Sequence, residues 1–339
     1  MSSRYFKQTL LTEIGEEGQK RIRGASAVIA GCGGLGTVIA SSLVRFGVGK
    51  VTIVDRDFIE LDNLARQVLF DEEDIRRGLP KAIAAVEKLR LINSEITVEP
   101  VVADLTAENI ERIIKDADIV LDGTDNFETR FLINDACVKL GIPWIYGGVV
   151  ATYGMSFTII PGTTPCLKCF IAELPGPGST PTCDTVGVLG TAVNTVASIE
   201  VTEALKILLG KQDTLIKKLI YIDVWYGTWN LFELKKDEKR CPVCDDRQFA
   251  FLEQKKGTRL ASLCGQNAVQ ISPPVATGVL FKDLASRLAS SGKVSYNDYM
   301  LRFTVEPYEF TVFPDGRTII KGTTDESMAK TLFSKYIGV

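Results

Sequence analysis

The chain has 339 residues, enough for about two domains of ordinary size. Its 39 Lys and Arg residues nearly balance its 42 Asp and Glu residues, so it lacks the basic excess of nucleic-acid and anionic-membrane binders. No apolar run approaches the about 20 residues of a membrane-spanning helix, and the first ten residues do not form a secretion signal. We therefore expect a soluble, cytoplasmic protein that binds neither membranes nor nucleic acids.

The sequence contains no histidine. This excludes Ser-His-Asp and Cys-His catalytic pairs and every His-ligated metal site. Acid–base or metal chemistry must therefore come from carboxylates, Lys, Arg, Tyr or the eight cysteines. Because we predict no secretion signal, we expect these cysteines to be metal ligands or reactive thiols rather than disulfides.

Strands and helices alternate through the first part of the chain, after a polar, amphipathic start that predicts short helices over residues 1–24. The predicted strands are Ala25–Ala30, Lys50–Val54, Ile96–Val102 and Asp118–Leu121, and the predicted helices are Thr37–Phe46, Pro80–Leu91, Ala107–Lys115 and Phe127–Leu140. The strands are continuously apolar, which predicts a parallel sheet covered by helices on both faces.

From Pro143 onward the pattern changes. Two β-rich runs, Trp144–Val150 and Tyr153–Ile160, predict an antiparallel extension of the sheet. A long helix is predicted over Val188–Leu209 and two more strands over Leu219–Leu234. The first domain, residues 1–246, is therefore predicted to be a doubly wound α/β domain of Rossmann type, with a mostly parallel sheet.

A smaller α+β domain is predicted over residues 255–339. This segment contains Pro273-Pro274, a helix near Phe281–Ser290, several strands, a hairpin turn at Pro314-Asp315-Gly316 and a last helix over about Met328–Tyr336. No activity follows from these residues, and they do not resemble a rhodanese domain.

A glycine-rich turn follows the first predicted strand: Gly31-Cys32-Gly33-Gly34-Leu35-Gly36. In this strand–turn–helix context, glycines let a phosphate approach the backbone and the amino end of the next helix. Asp55 ends the next strand about 20 residues further on, where a ribose-binding carboxylate is expected. The pattern predicts a nucleotide site, with NAD as the usual ligand and a glycine turn without ligand as the alternative.

Two cations downstream favour ATP over NAD. Arg66 lies shortly after Asp55, and Lys81 lies at the start of the next predicted helix. A dinucleotide has little need for both, whereas a triphosphate carries up to about four negative charges that Arg and Lys can neutralise. For either residue alone, a solvated surface charge is the alternative.

Asp125 and Asn126 follow the predicted strand that ends at Leu121. Ligands bind at the carboxyl edge of a parallel sheet, and a carboxylate there can hold Mg²⁺. We therefore predict that this segment lies next to the glycine turn.

The motifs GCGGLG, Asp55–Asp57, NLARQ, GLPK and GTDN occur in the order seen in the MoeB/ThiF/HesA family, which is related to ubiquitin-activating enzymes. The chain resembles this family over about residues 4–246. The resemblance implies an enzyme that uses ATP and Mg²⁺ to adenylate the C-terminal Gly-Gly carboxylate of a small ubiquitin-like sulfur-carrier protein. It also implies a homodimer.

The resemblance further implies roles for individual residues. The implied nucleotide-binding residues are Gly31, Gly33, Gly34, Gly36, Asp55, Asp57, Asn63, Arg66, Gln67, Lys81, Asp125 and Asn126. Arg66, Lys81 and Asp125 are expected to be catalytic because they neutralise phosphate charge or orient Mg²⁺. The family often has an arginine in place of Lys7, where it reaches the triphosphate of the partner subunit; Lys7 keeps the charge without the bidentate geometry.

Two C-x-x-C pairs, Cys166/Cys169 and Cys241/Cys244, are far apart in the sequence. Four thiolates in two such pairs fit a tetrahedral Zn²⁺ that would join distant segments in a structural role. Redox-active pairs are the alternative. The family resemblance also implies a zinc site.

Cys183 lies outside these pairs, after a Pro- and Gly-rich loop and shortly before a predicted helix, where a thiolate can be stabilised. The resemblance implies that it attacks the acyl-adenylate or takes part in sulfur transfer, with a cysteine desulfurase or a rhodanese as sulfur donor. Cys32 and Cys137 are interpreted as packing residues. Cys264 is interpreted as structural, with a second sulfur-handling thiol as the alternative.

Two functions of other classes stay open at this point. One is an NAD-dependent oxidoreductase, and the other is a zinc-stabilised binding module that holds a nucleotide only as a structural ligand. Within the adenylating class, a relative acting on a tRNA base or a peptide antibiotic is a further alternative, although the balanced charge offers no tRNA footprint.

Overall fold

The computed structural model describes residues 4–176, 181–234, 240–253, 259–263 (backbone only), 267–273 and 278–338. Cys264 and residues 177–180 of the Pro- and Gly-rich loop lie outside these ranges. The chain divides into two compact units, Met1–Gln254 and Lys255–Val339. Within the described ranges, no helix has both the length and the apolar composition needed to cross a membrane.

The first unit contains an eight-stranded sheet with the order β3-β2-β1-β4-β5-β6-β7-β8. Its strands are β1 Ser26–Ala30, β2 Lys50–Val54, β3 Thr97–Val101, β4 Ile119–Asp122, β5 Trp144–Val150, β6 Tyr153–Ile159, β7 Leu219–Asp223 and β8 Thr228–Phe232. Strands β1 to β5 pair in parallel, and β5 to β8 pair antiparallel. The predicted doubly wound sheet with an antiparallel extension is confirmed.

Helices cover both faces of this sheet. They are α1 Phe6–Thr9, α2 Gly15–Gly24, α3 Gly34–Phe46, α4 Glu72–Arg77, α5 Lys81–Ile92, α6 Ile110–Ile114, α7 Phe127–Leu140, α8 Leu167–Phe170, α9 Cys183–Val186 and α10 Gly190–Leu208. Ile29 of β1 faces α3, whereas Val28 belongs to the buried cluster that contains Phe131 of α7. Successive strand residues point to opposite faces, so α3 and α7 lie on opposite sides of the sheet.

Two local features differ from the sequence interpretation because polar side chains bond to nearby backbone groups. Asn109 accepts from the Thr106 N–H (2.9 Å) and donates to the Asp104 carbonyl (2.7 Å), so α6 begins three residues later than predicted. The helix α4 was not predicted. It is capped by Asp71, whose carboxylate accepts from two backbone N–H groups, and it ends at the left-handed Gly78.

The second unit is a six-stranded antiparallel sheet with the order β11-β12-β13-β14-β10-β9. Its elements are β9 Arg259–Leu263, β10 Ala268–Ser272, α11 Phe281–Leu288, β11 Lys293–Tyr296, β12 Leu301–Val305, β13 Tyr308–Val312, β14 Thr318–Lys321 and α12 Glu326–Tyr336. Leu284 and Leu332 of the two helices pack on Phe303 and Phe310 of the sheet. This confirms the predicted α+β architecture of the C-terminal part.

Candidate active site

The candidate active site lies at the carboxyl ends of β1, β2 and β4. The last residues of the three strands pair in register, so the chain leaves the sheet at one level at Gly31, Asp55 and Gly123. This is the edge at which parallel α/β sheets bind ligands.

Glycine serves different physical purposes at different positions of the turn. A Cβ atom at Gly36 would lie 2.0 Å from the Gly31 carbonyl oxygen, and one at Gly31 would lie 2.6 Å from the Gly123 carbonyl oxygen. These glycines therefore allow three backbone segments to touch. A Cβ at Gly33, in contrast, would meet no atom closer than 3.9 Å, and one at Gly34 would approach Val193 of α10 to 3.0 Å. The open side of the turn at Gly33 is where a phosphate could approach the backbone.

Asp55 ties this turn to the end of β2. Its carboxylate oxygens accept from the Cys32 N–H and the Asp57 N–H, both at 2.6 Å. Burial raises the pKa of Asp55 to about 6, although Lys81 opposes the rise. The carboxylate is thus fixed next to the glycine turn, where the sequence interpretation placed a ribose ligand.

Lys81 brings a cation to this edge from the first turn of α5. Its side chain is 10% exposed, and its Nζ lies 3.5 Å from Asp57 Oδ2. Burial alone would lower the pKa of the ammonium group, but Asp57, Asp55 and Asp125 raise it above its ordinary value. The predicted Lys81, Asp55, Asp57 and Asp125 therefore share one electrostatic environment.

Arg56 is a second cation here, and sequence reasoning missed it. Its Nη1 lies 2.6 Å from Asp104 Oδ1, and its Nε lies 3.4 Å from Asp57 Oδ1. The Arg56–Asp104 ion pair joins the end of β2 to the segment after β3. The signal available in the sequence was an Arg between two Asp residues at a strand end, which alone does not distinguish a site residue from a surface charge.

The NLARQ segment begins in a short 3-10 helix, Leu61–Ala65, and ends with Arg66 and Gln67 beside the glycine turn. Asn63 is used within the 3-10 helix: its Oδ1 accepts from the Glu60 N–H, and its Nδ2 donates to Asp62 Oδ1, both at 3.1 Å. Arg66 is partly exposed, and its Nη1 donates to the Asp62 carbonyl at 2.9 Å. A Cβ at Gly34 would lie 3.8 Å from Arg66 Cγ, so the guanidinium-bearing side chain passes the glycine turn.

Gln67 is almost fully buried beside the same turn. Its Oε1 has no hydrogen-bond partner among the described residues, and its Nε2 lies 4.0 Å from the position of a Cβ at Gly33. A buried amide with an unsatisfied atom carries an energetic cost that a ligand could remove. The open space at Gly33 and this amide together fit a bound nucleotide.

The GTDN segment follows β4 as predicted. Asp125 is exposed at this edge, where it could hold Mg²⁺. Asn126 caps α7: its Oδ1 accepts from the Thr129 N–H at 2.9 Å. Its side chain already has a structural partner, and its predicted role in nucleotide binding stays a prediction.

Beneath this segment lies a buried ion pair that the sequence interpretation also missed. Arg130 of α7 donates from Nε to Asp122 Oδ2 at 2.8 Å. Its Nη2 donates to the Thr124 carbonyl (2.7 Å) and the Gly147 carbonyl (2.8 Å). Charged residues at core positions of a helix leave no periodic signal in a sequence.

Lys7 is exposed on α1. The neighbouring Gln8 donates to the carbonyl of Phe46, the last residue of α3. The glycine turn lies at the other end of that 13-residue helix, about 20 Å away along its axis. Lys7 is therefore held at the end of α3 remote from the glycine turn of its own chain.

Cys183 is the first residue of the short helix α9, and its thiol donates to the Val149 carbonyl of β5 at 3.4 Å. The segment after it is held by Ala151, whose N–H donates to the Gly187 carbonyl and whose carbonyl accepts from the Leu189 N–H. Cys183 is partly exposed near the carboxyl end of β5. Cys32 and Cys137 are fully buried, which fits their interpretation as packing residues.

The two C-x-x-C pairs meet in space. The Sγ atoms of Cys166, Cys169, Cys241 and Cys244 all lie within 4.8 Å of one another. Neighbouring sulfurs are 3.5–3.8 Å apart. A zinc ion about 2.3 Å from four tetrahedral sulfurs separates them by about 3.8 Å, so the residues fit this metal.

The cysteine cluster packs against α7. The Leu167 N–H donates to Asn134 Oδ1, and the Phe251 N–H donates to Asp135 Oδ2. The Phe251 ring stacks on Phe131 with centroids 5.1 Å apart. The cluster therefore anchors the later part of the helix that begins at Asn126.

The chain is similar to several known proteins. The chain is 44% identical to the sulfur carrier protein ThiS adenylyltransferase of Bacillus subtilis, with both chains fully covered. It is 39% identical to the sulfur carrier protein adenylyltransferase of Thermus thermophilus, over 72% of this chain and 90% of the relative. Crystal structures of E. coli MccB include one with ATP, which is 26% identical with a TM-score of 0.62 over 72% of this chain and 75% of that one.

The family assignment rests on the adenylation unit. A sequence model of the ThiF family matches residues 5–243, which contain the glycine turn, the GTDN segment and three of the four clustered cysteines, Cys166, Cys169 and Cys241. The predicted resemblance is confirmed: this chain belongs to the ThiF family.

Proposed function

We propose that this chain is an ATP-dependent adenylyltransferase that activates the C-terminal Gly-Gly carboxylate of a ubiquitin-like sulfur-carrier protein. The observation that carries the proposal is the meeting of the open glycine turn at Gly33 with the buried ammonium group of Lys81 at one sheet edge. The relatives support it, because the Bacillus and Thermus proteins are named as adenylyltransferases of such carriers.

ATP would bind across the glycine turn. Asp55 would contact the ribose, Gln67 would contact the ribose or the inner phosphates, and Lys81 and Arg66 would neutralise the phosphate chain. Asp125 would hold Mg²⁺, which shields phosphate charge when bound. The four cysteines would hold Zn²⁺ in a structural role, since they offer the ion a closed tetrahedral set of ligands.

The reaction needs no general base. The carboxylate of the carrier is ionised at neutral pH, so it attacks the α-phosphorus directly, and the bond to the leaving pyrophosphate breaks. Catalysis then consists of positioning and charge neutralisation by Arg66, Lys81 and Asp125 with its Mg²⁺. This chemistry is consistent with the absence of histidine from the sequence.

The acyl group would leave the adenylate in one of two ways. The Cys183 thiolate can attack the acyl carbon, so that a thioester forms and AMP leaves. Alternatively, a sulfur nucleophile on a donor such as a cysteine desulfurase or a rhodanese attacks the acyl carbon directly, so that a carbon–sulfur bond forms and AMP leaves. A homodimer would place Lys7 near the triphosphate of the other subunit, because within its own chain Lys7 lies at the far end of α3.

A surface for the carrier is offered by the β7–β8 hairpin. Trp229 and Leu231, which alternate along β8 and so share one face, are 56% and 48% exposed, and Trp225 and Tyr226 of the hairpin turn are 70% and 78% exposed. Clustered exposed apolar residues mark protein–protein contacts. The folded part of the carrier would pack here, and Trp229→Ala should raise KM for the carrier while leaving KM for ATP unchanged.

An NAD-dependent oxidoreductase is the other function that the glycine pattern suggests. The test mixes the protein with Mg²⁺, ATP, labelled pyrophosphate and a sulfur carrier ending in Gly-Gly. Label appearing in ATP supports adenylation, and a carrier without its two terminal glycines is the matched control. Absence of exchange together with reduction of NAD by a substrate would overturn the proposal.

A further inference from the structure

Arg130 is a buried cation that the proposed chemistry does not use directly. It lies in the first turns of α7 and is 6% exposed. Burying a guanidinium group is costly unless its donors are satisfied in good geometry. Here Nε donates to Asp122 and Nη2 donates to Thr124 and Gly147, and these acceptors lie in β4, in the turn after it and in β5.

One side of this network holds the turn that carries Asp125. Arg130 Nη2 donates to the Thr124 carbonyl, next to Asp125 in the chain. Asp122 Oδ1 accepts from both the Thr124 N–H (2.9 Å) and the Thr124 hydroxyl (2.6 Å). Every polar group of Thr124 is thus bound to the Asp122–Arg130 pair, so the pair holds the backbone next to Asp125.

The other side holds β5. The same Nη2 donates to the Gly147 carbonyl, and two residues later the Val149 carbonyl accepts the Cys183 thiol. The rings of Phe127 and Tyr146 lie 5.3 and 5.2 Å from the guanidinium carbon and restrict its orientation. Arg130 therefore joins the turn that contains Asp125 to β5, the strand whose Val149 carbonyl accepts the hydrogen bond from Cys183.

We propose that Arg130 is a positioning residue for adenylation: through Thr124 it fixes the Asp125 carboxylate in the geometry that binds magnesium and the triphosphate. This rests on the proposed function. A lysine at position 130 keeps the charge but lacks the planar guanidinium that reaches three acceptors at once.

The test measures ATP affinity by calorimetry across a range of Mg²⁺ concentrations, for the wild type and for Arg130→Lys, Asp125→Asn and the double variant. Arg130→Lys should lower Mg²⁺-dependent ATP affinity about tenfold. The double variant should lose no more than Asp125→Asn alone, because both changes remove the same interaction. Thr124→Val, which removes only the hydroxyl bond to Asp122, should give a smaller loss in the same direction.

Lys206→Met is the control, because it removes an ion pair between the partly exposed Lys206 and the buried Glu203 in α10, away from the site. It should lower the melting temperature but leave the Mg²⁺ dependence unchanged. Fully additive losses in the double variant, or wild-type Mg²⁺ dependence in both Arg130→Lys and Thr124→Val, would overturn the inference. Failure of the proposed function is a separate result: the wild type would bind Mg²⁺ and ATP in this way but give no pyrophosphate exchange with the carrier.

Discussion

The glycine-turn edge and the cysteine cluster both join residues that are distant in sequence, but they are built on different principles. The cluster brings together four copies of one ligand type, with sulfurs at the spacing of a single metal ion. The edge combines unlike charges, and several of its groups already bond to the protein, as Asp55 does to two backbone N–H groups. Four identical ligands can bind one metal ion and so stabilise the fold, whereas an edge of unlike charges can bind and activate a charged substrate.

The pKa values reflect the same contrast. In the cluster, the thiols perturb one another: hydrogen bonds from Cys166 and other neighbours lower the pKa of Cys169 to about 5, whereas burial raises that of Cys244 to about 12. At the edge, burial raises the pKa of Asp55 to about 6, while nearby carboxylates keep Lys81 charged. Because the four sulfurs join segments that are distant in sequence, we expect changes in the cluster to affect mainly stability, and changes at the edge to affect mainly catalysis.

The largest effect is expected from breaking the cluster. Zinc contributes about 10–16 kcal/mol in zinc-finger peptides, so Cys241→Ser should lower Tm by more than about 10 °C and remove bound zinc. Thermal unfolding and metal analysis measure both. Cys137→Ala, at a buried cysteine outside the cluster, is the matched control. Equal losses in the two variants would show that the cluster has no special role in stability.

The second largest effect is expected at the glycine-turn edge, where a substitution should lower the reaction rate without lowering Tm. Asp125 is exposed, so Asp125→Asn should leave Tm within about 1 °C. It should lower the exchange rate about 10²–10³-fold, because a charge that orients the metal and phosphates is lost. Asp116→Asn, at another exposed carboxylate, should change neither quantity. A large fall in Tm without loss of exchange would contradict the contrast between the two regions.

The sequence predicts the cluster better than the edge for a physical reason. Cysteine pairs at C-x-x-C spacing carry their chemistry in their identity, so all four ligands could be named. At the edge, the predicted Gly33, Asp55 and Lys81 do lie together. The interactions of Arg130 and Arg56 depend on which strands become neighbours, and no local pattern encodes that.

The fold, too, could be predicted only where the signal was local in the sequence. Continuous apolar strands and glycine punctuation predicted the parallel sheet and its antiparallel extension. The cap of α7 also had a local signal, since Asn126 directly precedes a helical segment. The family resemblance assigns Asn126 to nucleotide binding, and this stays a prediction, because the same residue type serves both purposes and the contact with Thr129 shows only the cap.

The third prediction concerns the pH dependence of stability, which we expect a buried carboxyl group close to the site, that of Glu200, to change. Glu200 of α10 is fully buried near Asp122 and Arg130, and burial raises its pKa well above its ordinary value. The folded protein therefore holds a proton there that the unfolded chain releases above about pH 4.5. Stability should fall as pH rises, by up to about 1.4 kcal/mol per pH unit, until the pKa of the folded state is passed.

Glu200→Gln should remove this part of the pH dependence, because the amide is always neutral. Urea unfolding between pH 5 and pH 8 gives the free energy of unfolding at each pH. Glu203→Gln is the control, since Glu203 is ion-paired with Lys206. An unchanged slope in Glu200→Gln would mean that Glu200 is ionised in the folded protein.

The smallest effect distinguishes two roles for Asn126 at the start of α7, that of a helix cap and that of a nucleotide ligand. As a cap, Asn126 can be replaced by Asp, which accepts the same bond from the Thr129 N–H, whereas Asn126→Ala loses about 1 kcal/mol of stability. As a nucleotide ligand, it would tolerate neither change, because Asp would repel phosphate. We expect Asn126→Asp to keep both Tm and the KM for ATP, and Asn126→Ala to lower Tm by about 2–4 °C. A KM that rises in both variants while Tm stays constant would instead assign Asn126 to the nucleotide, since a cap acts on the helix and a ligand acts on binding.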